Sequence, residues 1–351
     1  MSNHLTRRIF LRNASTLSGV AMLSGVLPAN TLAAQLAADG KPNPVPRRID
    51  VHHHILPPDY VKAVGDAAIG APINRPAGPS WSIADSLEAM DKFGIQTALT
   101  SISSPGIPLD DTKAIQRTAR ACNDFAKQMS VDHPGRFGVF AFLPLPDIAA
   151  SLEEVAYAYD VLHADGIALH TNYRALYLGD PHFAPLMEEL NRRNAVVFVH
   201  PTVCTCTLGA IPGVATSSIE YPHDTTRTIT SLLFNGTFKK NPGIRFIFSH
   251  AGGTMPFLVN RIASLPGTSP EGTAALLRRQ YFELAQSANP QAMLPLLNMV
   301  DASHVLFGTD FPFVRAVNGV IDGIARSSLK PQEIRLIERE NALALFPRLA
   351  S

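Results

Sequence analysis

Five side chains in this sequence have types and spacing suited to chemistry. His52 and His54 stand two apart in Ile49-Asp50-Val51-His52-His53-His54. His200 closes the apolar run Val196-Val197-Phe198-Val199, His250 closes Arg245-Phe246-Ile247-Phe248-Ser249, and Asp310 follows Phe307-Gly308-Thr309. Residues two apart on a strand share a face, so His52 and His54 point the same way and His53 points away from them. Two imidazoles on one face are what a shared metal ion needs. A single histidine at a strand end is ordinarily a satisfied structural residue. Several that converge from distant parts of the chain are a different matter, and convergence depends on the elements that carry them.

Those elements alternate. Short apolar runs at Ile49–His52, Gln96–Ile102, Phe137–Phe142, Gly166–Thr171, Ala195–His200, Ile244–His250, Tyr281–Ala285 and His304–Gly308 read as strands. Helical patterns lie between and after them, near Ser82–Phe93, Thr112–Ser130, Ala149–His163, Phe183–Arg193, Thr225–Phe238, Thr254–Ser264, Pro290–Met299 and Pro331–Phe346. Eight strands alternating with eight helices predict an α/β fold, a single-domain (β/α)8 TIM barrel. Runs such as Val196–Val199 are apolar without alternation, which suits strands buried on both faces. In such a barrel all strand C-termini open on one face, where active sites form. His52, His54, His200, His250 and Asp310 would then meet there. His170 and Asn172, at the end of the fourth strand, would face substrate.

Composition narrows the classes. The chain has 351 residues, 46% of them hydrophobic, and a formal charge of +1. It carries no Lys/Arg run, so nucleic acid is not an expected partner. No stretch of about 18 uniformly apolar residues occurs, so no stable membrane span is expected. The three cysteines, Cys122, Cys204 and Cys206, form no disulfide framework and read as small buried residues. Residues 1–34 read as a targeting segment, with Thr6-Arg7-Arg8-Ile9-Phe10-Leu11 before a weakly apolar run and small residues near Ala33-Ala34. This resembles a twin-arginine signal and implies an exported, periplasmic enzyme. Residues 35–47, rich in proline, read as a linker into a domain spanning 48–351.

The motifs resemble a known family. Ile49-Asp50-Val51-His52-His53-His54 looks like the first-strand HxH motif of the amidohydrolase superfamily, and Val197-Phe198-Val199-His200-Pro201, Ser249-His250-Ala251-Gly252-Gly253 and Gly308-Thr309-Asp310-Phe311-Pro312 complete the pattern. Within that superfamily they are most similar to amidohydrolase family 2, the branch of aminocarboxymuconate-semialdehyde, γ-resorcylate and 6-methylsalicylate decarboxylases. The resemblance implies that His52, His54, His200 and Asp310 bind one divalent ion and that His250 is an acid/base beside them. It also matches Arg261 to an arginine that one subunit of a homodimer offers to the other's substrate carboxylate. Two departures stand out. No arginine occurs in Trp81–Met90, where the muconate enzyme has one for substrate. The seventh strand carries Glu283 where relatives usually have aspartate. The fourth strand has no lysine to bridge a second metal, which disfavours a two-metal hydrolase.

Three imidazoles and one carboxylate suit zinc, with manganese as the alternative. The expected reaction is non-oxidative decarboxylation of a small aromatic or unsaturated acid, with a proton delivered to the ring carbon by His250 or Asp310. The alternative is metal-dependent hydrolysis of a lactone or amide. The third is a non-catalytic periplasmic metal-binding protein. Loops 59–80 and 202–223 are expected to shape the cavity, and Trp81 and Phe313 are candidates to stack on a ring.

Overall fold

The computed structural model describes residues 47–203 and 211–350. The leader, the greater part of the linker, Cys204 and Cys206 lie outside the described residues. Eight strands form one parallel sheet in sequence order. They are β1 (Arg48–His54), β2 (Ile95–Ser101), β3 (Phe137–Phe142), β4 (Gly166–His170), β5 (Val196–His200), β6 (Arg245–Phe248), β7 (Tyr281–Glu283) and β8 (Val305–Leu306). Hydrogen bonds from Val51 N to Phe307 O (3.0 Å), Asp310 N to His52 O (2.8 Å) and His54 N to Phe311 O (2.7 Å) join β8 and its C-terminal extension back to β1. That seam closes the barrel, as the alternating pattern predicts.

The sequence explains where the site sits. On the middle strands, alternate residues enter two different apolar clusters. Phe140, Phe142, Ala168, Val196, Phe198 and Ile247 belong to one. Val139, Ala141, Ile167, Leu169, Val197, Val199, Phe246 and Phe248 belong to the other, with the helices. Every residue of β3, β4 and β5 is therefore buried, which is why these strands read as continuous apolar runs. His170 and His200 continue the series of Ala168 and Phe198 by two residues, so they occupy its last rung at the C-terminal rim.

The helices follow the expected pattern, with four differences. Ser82, Asp111, Asp147 and Asn289 each accept a backbone N–H of the turn they open, fixing four helix starts. The helix expected from Thr225 begins at Thr216 and runs to Phe234, with Pro222 inside it. Short helices at Pro58–Val64 and Asp66–Gly70 occupy the 59–80 loop. Helices at Pro270–Leu277 and Asn318–Ala325 were not anticipated. The final helix is α at Pro331–Arg335, π at Leu336–Glu340 and α again at Asn341–Leu345. Among the described residues no helix is long and apolar enough to cross a membrane.

Candidate metal centre

His52, His54, His200 and Asp310 come together as anticipated: one donor atom from each lies within 4.8 Å of all the others. The four residues are buried. His52 Nε2 is 2.9 Å from His54 Nε2. Both nitrogens face Asp310 Oδ1, at 3.3 Å from His52 and 3.2 Å from His54. His53 turns the other way, as the strand alternation requires. Its Nδ1 meets Asp50 Oδ2 at 3.1 Å and its Nε2 meets Ser86 Oγ at 2.9 Å, while its ring stacks on Phe311.

The partners of the outer nitrogens fix the tautomers. His52 Nδ1 faces the Glu283 carboxylate at 2.9 Å, and His54 Nδ1 faces the Ser101 carbonyl at 3.3 Å. Both acceptors require Nδ1–H. With neutral rings, both Nε2 atoms then present bare lone pairs to each other and to a carboxylate oxygen. Three converging lone pairs repel unless a positive charge stands among them. In the protein alone that charge is a proton. Burial would lower the His52 pKa, but the Glu283 and Asp310 carboxylates outweigh it and raise it to about 10. Burial and the neighbouring His52 charge take His54 down to about 4. Burial would raise Asp310, yet His52 and His54 hold it well below the usual carboxylate range. A divalent cation meets the same demand with more charge, so the residues fit one.

Glu283 stands behind the His52 ring. It is fully buried. Besides His52 Nδ1 it accepts the backbone N–H of His250 at 2.6 Å and of Ala285 at 2.6 Å. A carboxylate behind a ligating imidazole sets its tautomer and raises its basicity. Space for the longer acid comes from position 308: a Cβ on Gly308 would lie 2.0 Å from Glu283 Oε2. Asp50 ties β1 to the segment before Asp310. Its carboxylate accepts His52 N (3.0 Å), Thr309 N (3.1 Å) and Thr309 Oγ1 (2.6 Å) as well as His53 Nδ1.

His250 lies at the same rim, its ring centroid 5.1 Å from that of His52. Its Nδ1 donates to Ala285 O at 2.9 Å, which leaves Nε2 as the free nitrogen. His250, Gln286 and Asp310 all have left-handed backbone, with φ of 53°, 55° and 61°. Such strain in non-glycine residues concentrates where the surrounding structure holds side chains for function. Gln286 Nε2 donates to Asp310 Oδ2 at 2.6 Å and so fixes the carboxylate.

A cavity of about 140 Å³ opens at this rim, lined by His200, Asp310, Gln286, Tyr221, Phe313 and Arg75 among others. Phe313, anticipated as a stacking residue, lines it and meets the His54 ring edge-on. Trp81 does not: it donates to Ser86 and packs against Phe125. Arg75, Tyr221 and Gln286 were missed, because nothing in their sequence spacing marks them. His170 is buried, 6.2 Å from His200 between ring centroids, and its Nε2 has no hydrogen-bond partner. Asn172 Nδ2 donates to Asp224 Oδ2 at 2.9 Å, so that amide group is engaged in holding the loop after β4. Arg261 is exposed on the helix Met255–Ala263 and is not among the residues lining the cavity at the metal centre.

Comparison with known proteins agrees with this geometry. The chain is 39% identical over 327 residues to decarboxylase yanB of Aspergillus niger, covering 86% of this chain and 88% of that protein. It is 38% identical over 329 residues to 6-methylsalicylic acid decarboxylase acuB of Aspergillus aculeatus, covering 86% and 96%. The solved structure of an amidohydrolase II superposes with a TM-score of 0.79 at 27% identity, covering 86% of this chain and 99% of that one. A family model for amidohydrolases matches residues 49–348, from the first ligand strand to the last helices. The chain therefore belongs to the amidohydrolase family.

Proposed function

We propose that this protein is a metal-dependent, non-oxidative decarboxylase of a small aromatic acid of the 2-hydroxybenzoate class. The observation that carries the reading is the meeting of His52, His54 and Asp310 lone pairs beside a ring-sized cavity, in a chain whose curated relatives are decarboxylases. His52, His54, His200 and Asp310 would hold the ion, with zinc the preferred metal and manganese the alternative. When bound, a divalent ion supplies Lewis acidity toward a carboxylate and its neighbouring hydroxyl.

The chain's own residues supply the rest. Arg75 places a cation at the cavity wall for the substrate carboxylate. Phe313 offers a ring face or edge. Gln286 holds Asp310 in one orientation. His250, oriented by the Ala285 carbonyl, would act in its imidazolium form, giving the Nε2 proton to the ring carbon as the bond to CO2 breaks and returning to the neutral Nδ1–H tautomer. The bonding pair stays on that carbon and forms its new C–H bond. General acids of this kind are worth about 10²–10⁴ in rate. His170, at the next strand end, would contact the substrate from the adjoining wall, and Asn172, its amide held by Asp224, would position the loop there.

Phe257, 83% exposed, shares a helix with Arg261, and Leu294, 65% exposed, lies on the neighbouring helix Pro290–Met299. Exposed apolar residues beside that arginine suit a homodimer in which Arg261 reaches the partner's substrate. The Arg7-Arg8 leader suits export to the periplasm by the twin-arginine route. Arg7→Lys with Arg8→Lys should then leave precursor in the cytoplasm, and unchanged export would point to the general secretory route.

Mass spectrometry of metal-loaded protein with 2-hydroxybenzoates tests the chemistry. Loss of CO2 is expected. Gain of water by lactones or amides without loss of CO2 would replace the reading with hydrolysis, and tight metal with no turnover of either class would mark a binding protein.

A further inference from the structure

A second, larger chamber adjoins the metal cavity. Its volume is about 350 Å³, against about 140 Å³ for the first. Pro72 and Ser104 stand in the wall of both. His200 lines one chamber and His170 the other, side by side on paired strands. At the junction Ser104 Oγ and Thr202 Oγ1 bond each other at 3.0 Å, so neither hydroxyl is left bare. Beyond them the wall is apolar, with Pro105, Ile107, Leu109, Ile115, Phe142 and Leu145. Among the described residues the one ion pair at this chamber, Arg174 with Asp110 at 3.8 Å, joins two solvent-exposed side chains and so belongs to the outer rim.

The chamber opens to solvent, so its apolar wall is left facing water unless an apolar group covers it, and each methylene buried there is favourable. The backbone is also shaped around it. Gly106 has φ of 71°, and a Cβ there would lie 2.5 Å from the His170 ring. That imidazole is buried in the chamber wall. A small acid held at the metal fills the first cavity and leaves the second open.

We propose that this second chamber is a specificity site that takes an apolar substituent of the aromatic substrate, an alkyl chain of several carbons. This rests on the aromatic-acid reading above and extends it. The ring and its carboxylate occupy the metal cavity, and the chain passes Ser104 and Pro72 to lie against Ile107, Leu109 and Phe142. Substrates with a chain longer than methyl then gain affinity from carbons that take no part in the reaction.

Binding of phenols, which lack the carboxyl group, separates this proposal from the chemistry. Metal-loaded protein is titrated by calorimetry with 3-alkylphenols and 4-alkylphenols, from methyl to pentyl. In at least one ring series the affinity should rise about 4-fold per added methylene until the chamber is filled. Ile107→Phe and, as a second variant, Leu109→Trp should flatten that rise while leaving the methylphenol within about 2-fold of wild type. Thermal melting and metal content confirm that each variant is folded. A flat wild-type response in both series overturns the proposal, as does an equal rise in both folded variants. Release of CO2 from 6-alkylsalicylates is followed in parallel. A rising phenol series with no CO2 from any acid would leave the chamber standing and remove the decarboxylase reading. CO2 from 6-methylsalicylate with a flat phenol series would do the reverse.

Discussion

Replacing Glu283 with glutamine separates a residue that tunes the metal from one that merely fills the barrel. The carboxylate has three donors on it: His52 Nδ1 at 2.9 Å and the backbone N–H groups of His250 and Ala285 at 2.6 Å each. Glutamine offers one oxygen and one NH2. Whichever way it turns, the NH2 faces an N–H, so at least one buried donor loses its acceptor. That costs about 1–3 kcal/mol of fold stability. The second effect is on the ion. His52 loses the negative charge behind its ring, and loss of such a partner weakens metal binding about 10- to 100-fold. Chelator competition on folded protein reads the dissociation constant, and urea unfolding reads the stability. Glu283→Asp is the companion variant, because it keeps the charge but is one methylene too short to reach all three donors. It should fall between wild type and Glu283→Gln in metal affinity. A dissociation constant within about 2-fold of wild type in Glu283→Gln, with only the urea midpoint lowered, would refute the reasoning and make Glu283 a packing residue.

Three other outcomes follow from the geometry. His250→Ala should keep its metal and lose about 10²-fold or more in kcat; coordinate loss of metal would make it a ligand, and near wild-type kcat would end its role as acid. Phe257→Asp should shift the protein to monomer in sedimentation and cut turnover with it, whereas an unchanged sedimentation profile would remove Arg261 from the substrate site. Burial, with His54 beside it, holds the His170 pKa near about 3, against roughly 6.5 in the unfolded chain. Between those values the unfolded chain binds more protons, so His170 makes stability fall as pH drops from about 6.5 toward 3. Metal-free His170→Asn should show a shallower fall in its urea midpoint over that window than the metal-free wild type, and equal slopes would contradict the assignment.

How much of this could be read in advance depends on what each feature leaves in the chain. β3 was legible to the residue because Phe137–Phe142 is a closed apolar run between turns. The convergence of His52, His54, His200 and Asp310 was legible because strand ends and residue types coincide there. The start of the Thr216–Phe234 helix was not, because Pro222 reads as a breaker. In the fold that proline sits within the first two turns, and its carbonyl still accepts from Thr226 Oγ1 at 2.9 Å. The role of Glu283 was illegible from sequence because it lies in a three-body contact with His52 and two backbone amides. Arg75 and Gln286 escaped for a related reason: loops carry them to the cavity, and loop paths leave no period.

The seam between β1 and β8 has one more consequence. It is where the chain's first strand meets its last, through the Val51, His54 and Asp310 amides. The residues proposed to hold the ion straddle it, with His52 and His54 on one side and Asp310 on the other. An ion held there would work as a rivet across a strand contact of long sequence separation, one whose closure costs much chain entropy. Local opening of the fold should therefore begin at this rivet when the ion leaves. In hydrogen exchange, the amides of Val51, His54 and Asp310 should lose protection on chelation well before those of β3, β4 and β5. The barrel would come unbuttoned at one place, and the ion that serves the reaction would also govern how long the ring stays shut.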